Sequence, residues 1–189
     1  MNNMNMVCKL CLEDKQLARE SHIIPQLMYR QLLLDDGFFY KLNSENLKKF
    51  SDGKTIKGFI NGEYDSDILC LDCENMILCN RYEDYAAKVY DLISTDLESY
   101  DGIEIENITN VNGVHGKRLK NIDYSRFKLF LLSILWRASI SSRGFFDQVS
   151  VGIKHHEIIR NMIYNCDPKD IQDYPCFICD LSKDEPTLK

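Results

Sequence analysis

The chain has 189 residues, of which 44% are apolar, and its formal net charge at pH 7 is −6. This length and apolar content suffice to bury a core, as one domain or as a small module docked on a helical one, and they exclude a mainly disordered chain. The acidic balance excludes a general affinity of the whole surface for phosphate backbones, so a contact with nucleic acid has to be local or assisted by a partner. The longest apolar run, near residues 130–136, is too short to span a bilayer, and we expect no membrane contact.

Two Cys-x-x-Cys pairs, Cys8/Cys11 and Cys70/Cys73, form the most specific motif of the sequence. The chain has eight cysteines and no apolar signal segment, a combination that suits a reduced, cytoplasmic metal protein better than a secreted disulfide framework. Four thiolates are a usual ligand set of a closed, tetrahedral structural Zn²⁺. The sequence therefore predicts one structural zinc ion held by these four residues, which we call the four-cysteine cluster.

Between the two pairs lies the segment Ser21-His22-Ile23-Ile24-Pro25. Its isoleucines favour a strand, and Pro25 suits the first turn of a short helix over residues 26–34. Because the four cysteines complete a zinc site by themselves, His22 is left as a candidate reactive group. The alternative is a histidine that packs against the zinc finger.

Residues 38–57 are predicted to be extended and contain four lysines that form the densest basic group of the chain. This lysine cluster is the candidate nucleic-acid-binding surface and consists of Lys48, Lys49, Lys54 and Lys57. An ordinary solvated loop is the alternative, since runs of charge commonly just face water. The Asn61-Gly62 turn predicts a hairpin of residues 55–60 and 63–69 that delivers Cys70 to the first cysteine pair.

From Glu74 onward the apolar residues recur at helical spacing. The stripe consists of Leu78, Tyr82, Tyr85, Ala86, Val89 and Ile93. The pattern predicts an amphipathic helix with Cys73 at its start, where the helix dipole favours a thiolate. Cys79 lies within this helix and is interpreted as a core thiol.

Residues 99–120 are glycine-punctuated and are predicted to be a linker or irregular connection. They divide the chain into a zinc-binding module, residues 1–98, and a helical region with an acidic tail, residues 121–189. In that region, residues 127–138 carry apolar side chains on two faces, which predicts a helix buried nearly all round with Trp136 inside. A further helix is predicted over residues 154–164, with His155 and His156 as exposed polar residues.

Three motifs together resemble the HNH endonucleases, whose ββα-metal site is often built on a treble-clef zinc finger. The first is the Cys8/Cys11 knuckle followed by Ser-His-Ile-Ile-Pro, and the second is Ile-Leu-Cys-Leu-Asp-Cys-Glu at residues 68–74. The third, at residues 127–139, reads Phe-Lys-Leu-Phe-Leu-Leu-Ser-Ile-Leu-Trp-Arg-Ala-Ser and is similar to a segment of a group of bacterial HNH-like proteins. The resemblance implies an α+β fold, in which a treble-clef zinc finger with a ββα-metal-like site precedes an α-helical region.

The resemblance also implies a metal-dependent endonuclease that hydrolyses nucleic-acid phosphodiester bonds, with DNA preferred as the substrate and RNA left open. His22 matches the general base of the family, and the four-cysteine cluster matches its structural zinc ligands. The family usually has Asp before that histidine and Asn or His after the second cysteine pair, where this chain has Ser21 and Glu74. Binding of catalytic Mg²⁺ or Mn²⁺ is therefore assigned to Glu74, with Asn75 or Glu83 as helpers.

Some relatives of this broad kind act in restriction and anti-phage defence, so an effector role beside an ATPase or sensor encoded nearby is one expectation. Two other classes of function remain open. A catalytically silent zinc module would bind nucleic acid or a protein partner. A redox or sensor protein would use the cysteines near the end of the sequence, namely Cys166, Cys176 and Cys179.

Overall fold

The computed structural model describes residues 6–29, 44–55, 62–94, 98–109 and 115–176. These ranges form a mixed α+β structure in which small antiparallel sheets accompany several helices, as the sequence predicted. One apolar cluster runs through it and contains residues of both cysteine pairs as well as residues of the last two helices. The assignment of two separate regions stays a prediction.

Strands β1 (Met6–Val7) and β2 (Asp14–Lys15) pair antiparallel and enclose the first cysteine pair. The turn between them is tight, because the Leu12 amide donates to the Cys8 carbonyl at 2.9 Å and the Cys8 amide donates to Glu13 at 2.9 Å. Leu12 adopts a positive φ of 63°, which completes the reversal. The knuckle predicted from Cys-x-x-Cys is thus a backbone-closed turn.

Strands β3 (Ser21–His22) and β4 (Tyr64–Asp65) form a second antiparallel pair. Ser21 lies opposite Asp65 and His22 opposite Tyr64. The predicted hairpin had paired residues 63–69 with residues 55–60, of which 56–60, like Asn61 of the turn, lie outside the described residues. The observed partner is β3, a contact between distant parts of the chain that the local Asn-Gly signal does not encode.

Helix α1 (Gln26–Tyr29) begins directly after Pro25 as predicted, and the rest of the predicted helix lies outside the described residues. Helix α2 (Ser44–Ser51) corrects the prediction of an extended segment around the lysine cluster. Its sequence contains good helix formers, and Lys49 pairs with Glu45 one turn earlier at 2.5 Å. The helix propensity of these residues therefore accounts for the helical structure of this segment.

The helix predicted from Glu74 is present and starts as a π-helical segment, Cys73–Glu83, which continues as α3 (Asp84–Ser94). The buried stripe of the prediction is confirmed at four positions, Leu78, Tyr82, Ala86 and Val89. The π character was not predicted. It widens the turn, so that the Asp84 amide donates to the Cys79 carbonyl five residues earlier.

Residues 99–120, predicted to be a linker or irregular connection, contain a three-stranded antiparallel sheet. Its strands are β5 (Ser99–Tyr100), β6 (Ile103–Thr109) and β7 (His115–Lys120). Ile103 and Ile105 alternate inward and pack against Leu92, while Asp101 and Gly102 take the positive φ values of a turn. Gly102 therefore belongs to the turn between two strands and not to an irregular connection.

Helices α4 (Tyr124–Ile140) and α5 (Ile153–Asn165) complete the described fold. The Asp123 side chain caps α4 by accepting from the Arg126 amide at 3.1 Å. The prediction that residues 127–138 are buried on two faces is confirmed, and Trp136 is 0% exposed. Because α4 packs against both α5 and the π-helical segment, it connects the helices to the cysteine-bearing part of the chain.

Candidate metal centre and active site

The four-cysteine cluster is assembled as predicted. Its four sulfur atoms lie within 4.8 Å of one another, and the Cys11 and Cys70 sulfurs are 3.9 Å apart. A tetrahedral ion with Zn–S bonds of about 2.3 Å places its sulfur ligands about 3.8 Å apart. The cluster could therefore hold a metal such as zinc. Among the described residues it is the only group of three or more potential ligands with such spacing.

Backbone contacts deliver the second cysteine pair to the knuckle. The Lys9 amide donates to the Ile68 carbonyl at 2.9 Å, and the Cys70 amide donates to the Cys8 sulfur at 3.3 Å. Leu17 forms an isolated antiparallel bridge with Cys70. Three of the four cysteines are buried and Cys11 is partly exposed, so the centre is closed on most sides.

The pKa values of Cys8 and Cys73 are shifted in opposite directions. A hydrogen bond with Cys73, joined by backbone amides, lowers the pKa of Cys8 to about 4, although burial opposes this. The same hydrogen bond and burial raise the pKa of Cys73. Since metal ions bind thiolates, the cluster already stabilises one ligand in its binding form.

The knuckle is also supported from the far end of the chain. Arg160 of α5 is buried and its Nη1 donates to the Leu10 carbonyl, between the two cysteines of the first pair, at 2.7 Å. Its Nε pairs with Glu157 at 3.0 Å. A buried arginine on a backbone carbonyl fixes the turn that carries Cys8 and Cys11.

His22 is half-buried on β3, and its ring faces that of Tyr64 across the pair with a centroid distance of 6.4 Å. Its carbonyl accepts a 2.7 Å hydrogen bond from Nη1 of Arg137. The strand carrying the predicted base is therefore anchored to α4 through Arg137, whose side chain is 0% exposed.

Glu74 lies beside this strand. Burial raises the pKa of its carboxyl group and nearby Glu83 adds to this, whereas Arg137, the Ser21 hydroxyl and the His22 amide lower it. The Ser21 hydroxyl is outside ordinary hydrogen-bond geometry, and neither Ser21 Oγ nor Glu74 Oε2 has a hydrogen-bond partner in the described part of the chain. A buried carboxyl oxygen without a donor is an open coordination position.

Glu83 is linked to the strand of His22 by Arg137. Its Oε1 lies 2.9 Å from Nη2 of Arg137, and the guanidinium also donates to the Ser133 carbonyl from Nε at 3.3 Å. One arginine thus neutralises Glu83, contacts the His22 carbonyl and acts electrostatically on Glu74. Arg137 therefore links Glu83 to the backbone of His22 and acts on Glu74, but the side chains of the three predicted residues do not form a metal-ligand group in the described part of the chain. We call His22, Glu74 and Glu83, with Arg137, the histidine–glutamate site.

The π-helical register adds Cys79 to the border of this site. Burial raises the pKa of the Cys79 thiol, and the carboxylates of Asp84, Glu83 and Glu74 raise it further. Residues five apart lie one above the other in a π-helix, which places Cys79 one turn from Glu74. Asn75, the other predicted helper, is exposed, whereas Glu74 is partly buried.

Arg137 was missed as a site residue, although it belongs to the third motif of the sequence. The available signals were two basic residues within a largely apolar helix, Lys128 and Arg137, both of which are buried. Such residues are almost never fully buried unless they are paired. Lys128 donates to the Asp170 carbonyl at 2.8 Å, and Arg137 contacts Glu83 and the His22 carbonyl.

The described lysines of the lysine cluster make no direct contact with the histidine–glutamate site through hydrogen bonds or ion pairs. Lys48 and Lys49 lie in the last turn of α2, Lys54 pairs with Asp52 at 3.6 Å, and Lys57 lies outside the described residues. Their role in binding nucleic acid stays a prediction.

Two of the three later cysteines, Cys166 and Cys176, are described, and both are separate from the four-cysteine cluster. Cys166 is exposed, and its sulfur accepts from Arg81 and from the Tyr82 hydroxyl, the latter at 3.3 Å. Burial raises the pKa of Cys176. Cys179 lies outside the described residues. The two described thiols do not form a ligand group with each other.

Comparison with protein-family models, with curated proteins and with solved structures gives no match to this chain. In the described ranges, none of the helices is both long and apolar enough to cross a membrane. A function can therefore be inferred only from the chemistry of the site.

Proposed function

We propose that the protein is a metal-dependent endonuclease of the HNH type, built on a treble-clef zinc finger, which hydrolyses phosphodiester bonds in DNA in preference to RNA. One observation carries the proposal. Arg137 donates to the His22 carbonyl and pairs with Glu83, and it acts electrostatically on Glu74, which directly follows Cys73 of a cluster suited to zinc. An antiparallel pair followed by a helix, with a histidine on the strand and carboxylates on the helix, supports hydrolysis of a phosphodiester.

In this proposal His22 acts as the general base. Its imidazole takes a proton from water while the oxygen of that water bonds to phosphorus, and the bond from phosphorus to the leaving oxygen breaks. The leaving oxygen receives a proton from solvent, so charge and atoms balance. A divalent ion such as Mg²⁺ or Mn²⁺, when bound, would stabilise the negative charge that develops on the phosphate oxygens.

Glu74 and Glu83 are the residues that would hold such an ion. Mg²⁺ is commonly bound through one or two carboxylates, with water and substrate phosphates completing its shell, so a full protein cage is not required. The unpartnered Oε2 of Glu74 supports this assignment. Arg137 offsets part of the repulsion between the two carboxylates.

The four-cysteine cluster has a structural role in the proposal. Zinc held there would join the knuckle, the approach to β3 and the start of the π-helical segment, because the ligands belong to two parts of the chain about 60 residues apart. The relative position of His22 and Glu74 then depends on the zinc site, since Glu74 directly follows Cys73 and its amide donates to the Cys70 carbonyl at 3.0 Å.

A catalytically silent zinc module is the second candidate, and one observation favours it. Ser21, which occupies the position of the usual aspartate, is buried, and its hydroxyl has no hydrogen-bond partner in the described part of the chain. Serine is a poor ligand for a divalent ion. In this alternative the same scaffold binds nucleic acid or a protein partner and cuts nothing.

Cleavage assays with a histidine variant separate the two candidates. Supercoiled DNA and a short RNA are incubated at low salt with Mg²⁺ or Mn²⁺ and, where one exists, with the protein encoded next to it. Loss of a general base lowers the rate roughly 10²- to 10⁴-fold, so His22→Ala should be nearly inactive at unchanged zinc content and melting temperature. His155→Ala, an exposed histidine on α5, is the matched control and should cleave like the wild type.

Two results would reject the enzyme. The first is wild-type cleavage by a well-folded His22→Ala protein. The second is the absence of cleavage of either nucleic acid under all of these conditions, which would favour the silent module.

A further inference from the structure

A cavity lies beside the histidine–glutamate site, between β4 and the loop that follows α4. Its volume is about 310 Å³, and its lining consists of Glu63, Ser142, Arg143, Gly144 and Phe145. None of these residues belongs to the predicted site. The cavity is open to solvent and lies at the edge of the strand pair that carries His22.

The loop is held firmly against β4 by Asp65. The buried Asp65 carboxylate accepts from the Ser141 hydroxyl at 3.0 Å, from the Ser142 amide at 2.6 Å and from the Ser142 hydroxyl at 3.1 Å. The residue opposite Asp65 in the pair is Ser21. The position of Arg143 relative to β3 and β4 is thus fixed by short hydrogen bonds, as a binding group requires.

Arg143 presents its guanidinium to the cavity. Nε donates to Glu63 at 3.5 Å, and the guanidinium carbon lies 5.7 Å from the centre of the Tyr64 ring. The two terminal nitrogens make no hydrogen bond with the described residues, and the side chain is 49% exposed. An arginine oriented by a glutamate and an aromatic ring, with its fork open, matches the geometry of a phosphate group.

Tyr64 connects Arg143 to His22. The Tyr64 ring lies near the Arg143 guanidinium and, with a centroid distance of 6.4 Å and a tilt of 60°, near the His22 ring. The three side chains therefore follow one another across the strand pair, from β3 through β4 to the loop after α4. A nucleic-acid strand whose scissile phosphate lies at His22 would therefore pass Arg143 with a neighbouring phosphate.

Phe145 adds an aromatic surface at the mouth of the cavity. It is 60% exposed and is backed by the buried Phe146, whose ring it meets edge-on at 5.0 Å. Exposed aromatic rings next to a cation bind single strands by stacking on unpaired bases. A base inside a duplex cannot offer its face to such a ring.

Resting on the proposed function, we propose that this cavity binds the nucleic-acid strand next to the bond that is cut, with Arg143 on a phosphate and Phe145 stacked on an unpaired base. The preferred substrate is accordingly DNA that is single-stranded at this position. Glu63 weakens the local positive charge, so the cavity orients the strand more than it attracts it. In this proposal the cavity binds the nucleic acid, a role that the sequence analysis had assigned to the lysine cluster.

Binding of a fluorescent single-stranded oligonucleotide, measured by anisotropy at low salt without added divalent ion, tests the proposal independently of cleavage. Arg143→Ala should weaken binding about two- to fivefold, since contacts between exposed charges are modest. It should also lower the slope of log affinity against log salt by about 0.7, the value for one phosphate contact on a single strand. Phe145→Ala should weaken binding roughly 5- to 100-fold, because stacking on one base contributes that much.

Arg118→Ala is the matched control, since Arg118 is also an exposed arginine paired with a glutamate, Glu106 at 3.3 Å, but lies on β7. It should leave both affinity and salt slope unchanged. A blunt duplex of the same sequence should bind more weakly than the single strand and should not respond to Phe145→Ala.

The proposal is overturned if the wild type binds no oligonucleotide, or if Arg143→Ala and Phe145→Ala bind like Arg118→Ala. Its failure is distinct from that of the enzyme. If the wild type cleaves and both variants bind normally, only the role of the cavity is rejected. If the wild type does not cleave but both variants lose binding, the role of the cavity is retained and the silent module is supported.

Discussion

Arg137 Nη1 donates to the carbonyl of His22 at 2.7 Å, while Nη2 of the same guanidinium lies 2.9 Å from Glu83. A residue of α4 thus joins the strand of the proposed base to the helix of the proposed ion ligands. Because the guanidinium is planar and rigid, it sets the spacing of these two elements. The helices are therefore part of the site and more than a support for it.

Replacing Arg137 should be severely destabilising. Arg137→Met leaves Glu83 partly buried without its partner and removes the bond to the His22 carbonyl, and breaking a buried pair in this way costs about 3–5 kcal/mol. Thermal or urea unfolding measures the loss. Arg126→Met in the same helix, where the arginine is exposed and paired with Asp123, should cost less than about 1 kcal/mol. Equal melting of the two variants would contradict the anchoring role.

Zinc should be present in the purified protein at one ion per chain. Structural zinc contributes on the order of 10 kcal/mol of gross binding free energy to folding, so Cys73→Ser or a strong chelator should unfold the knuckle and lower the melting temperature sharply. Elemental analysis and thermal melting are the measurements. Cys176→Ser, outside the cluster, should retain the full zinc content.

Trp136→Ala should destabilise the protein by about 3–5 kcal/mol, since it empties a large site in the main core. Trp136 is the only tryptophan, so its fluorescence reports this site directly and should be blue-shifted in the native wild type. Phe50→Ala, an aromatic truncation at an exposed position of α2, should change stability by less than about 0.5 kcal/mol. Native fluorescence typical of water-exposed tryptophan would refute the burial.

Glu74→Gln should reduce cleavage and weaken the response to Mg²⁺. A neutral amide is a poorer ligand, and even indirect changes around a metal cost roughly 10- to 100-fold in affinity or activity. Titration of the cleavage rate with Mg²⁺ shows whether the half-saturating concentration rises. The control Glu45→Gln lies on α2 and should follow the wild-type curve. Identical Mg²⁺ curves for Glu74→Gln and the wild type would remove Glu74 from the ion site.

The contribution of Asp65 to stability should disappear in acid. Burial alone would raise the pKa of this carboxyl group, but hydrogen bonds from Ser142, Ser141 and Ser66 outweigh burial and hold it below its ordinary value of 3.8. A lowered pKa in the folded state means that the stabilisation is present above pH 3.8 and is lost as pH falls through the lower folded value. The stabilities of wild type and Asp65→Asn should therefore differ at pH 7 and converge once the pH has fallen below the lowered folded-state pKa of Asp65.

The parts of the fold that the sequence predicted are those with a local signal. Helix α4 follows from apolar residues on two faces of residues 127–138, and the four-cysteine cluster follows from ligand spacing, because zinc tolerates few other arrangements of four thiolates. His22 and Glu74 could be named because each is next to one of these motifs.

The parts that were missed depend on distant contacts or on weak local preferences. The pairing of β3 with β4 joins residues more than 40 positions apart and is stabilised by Asp65 and the loop after α4, neither of which the Asn61-Gly62 signal encodes. The role of Arg137 can be recognised only in the folded chain, where the His22 carbonyl and Glu83 lie beside it. In residues 99–120, polar alternation and glycine describe an exposed sheet and an irregular segment equally well.

The contact between Arg160 and the Leu10 carbonyl sets an order for folding. During synthesis, at about 5–20 residues per second, the knuckle leaves the ribosome roughly 8 to 30 seconds before the helix that supports it. Cys8 and Cys11 lack their partner thiols only until Cys70 and Cys73 follow, about 60 residues later, but they lack Arg160 for the whole interval. The four-cysteine cluster can therefore take up a metal before α5 is made, and the knuckle gains its support from Arg160 afterwards.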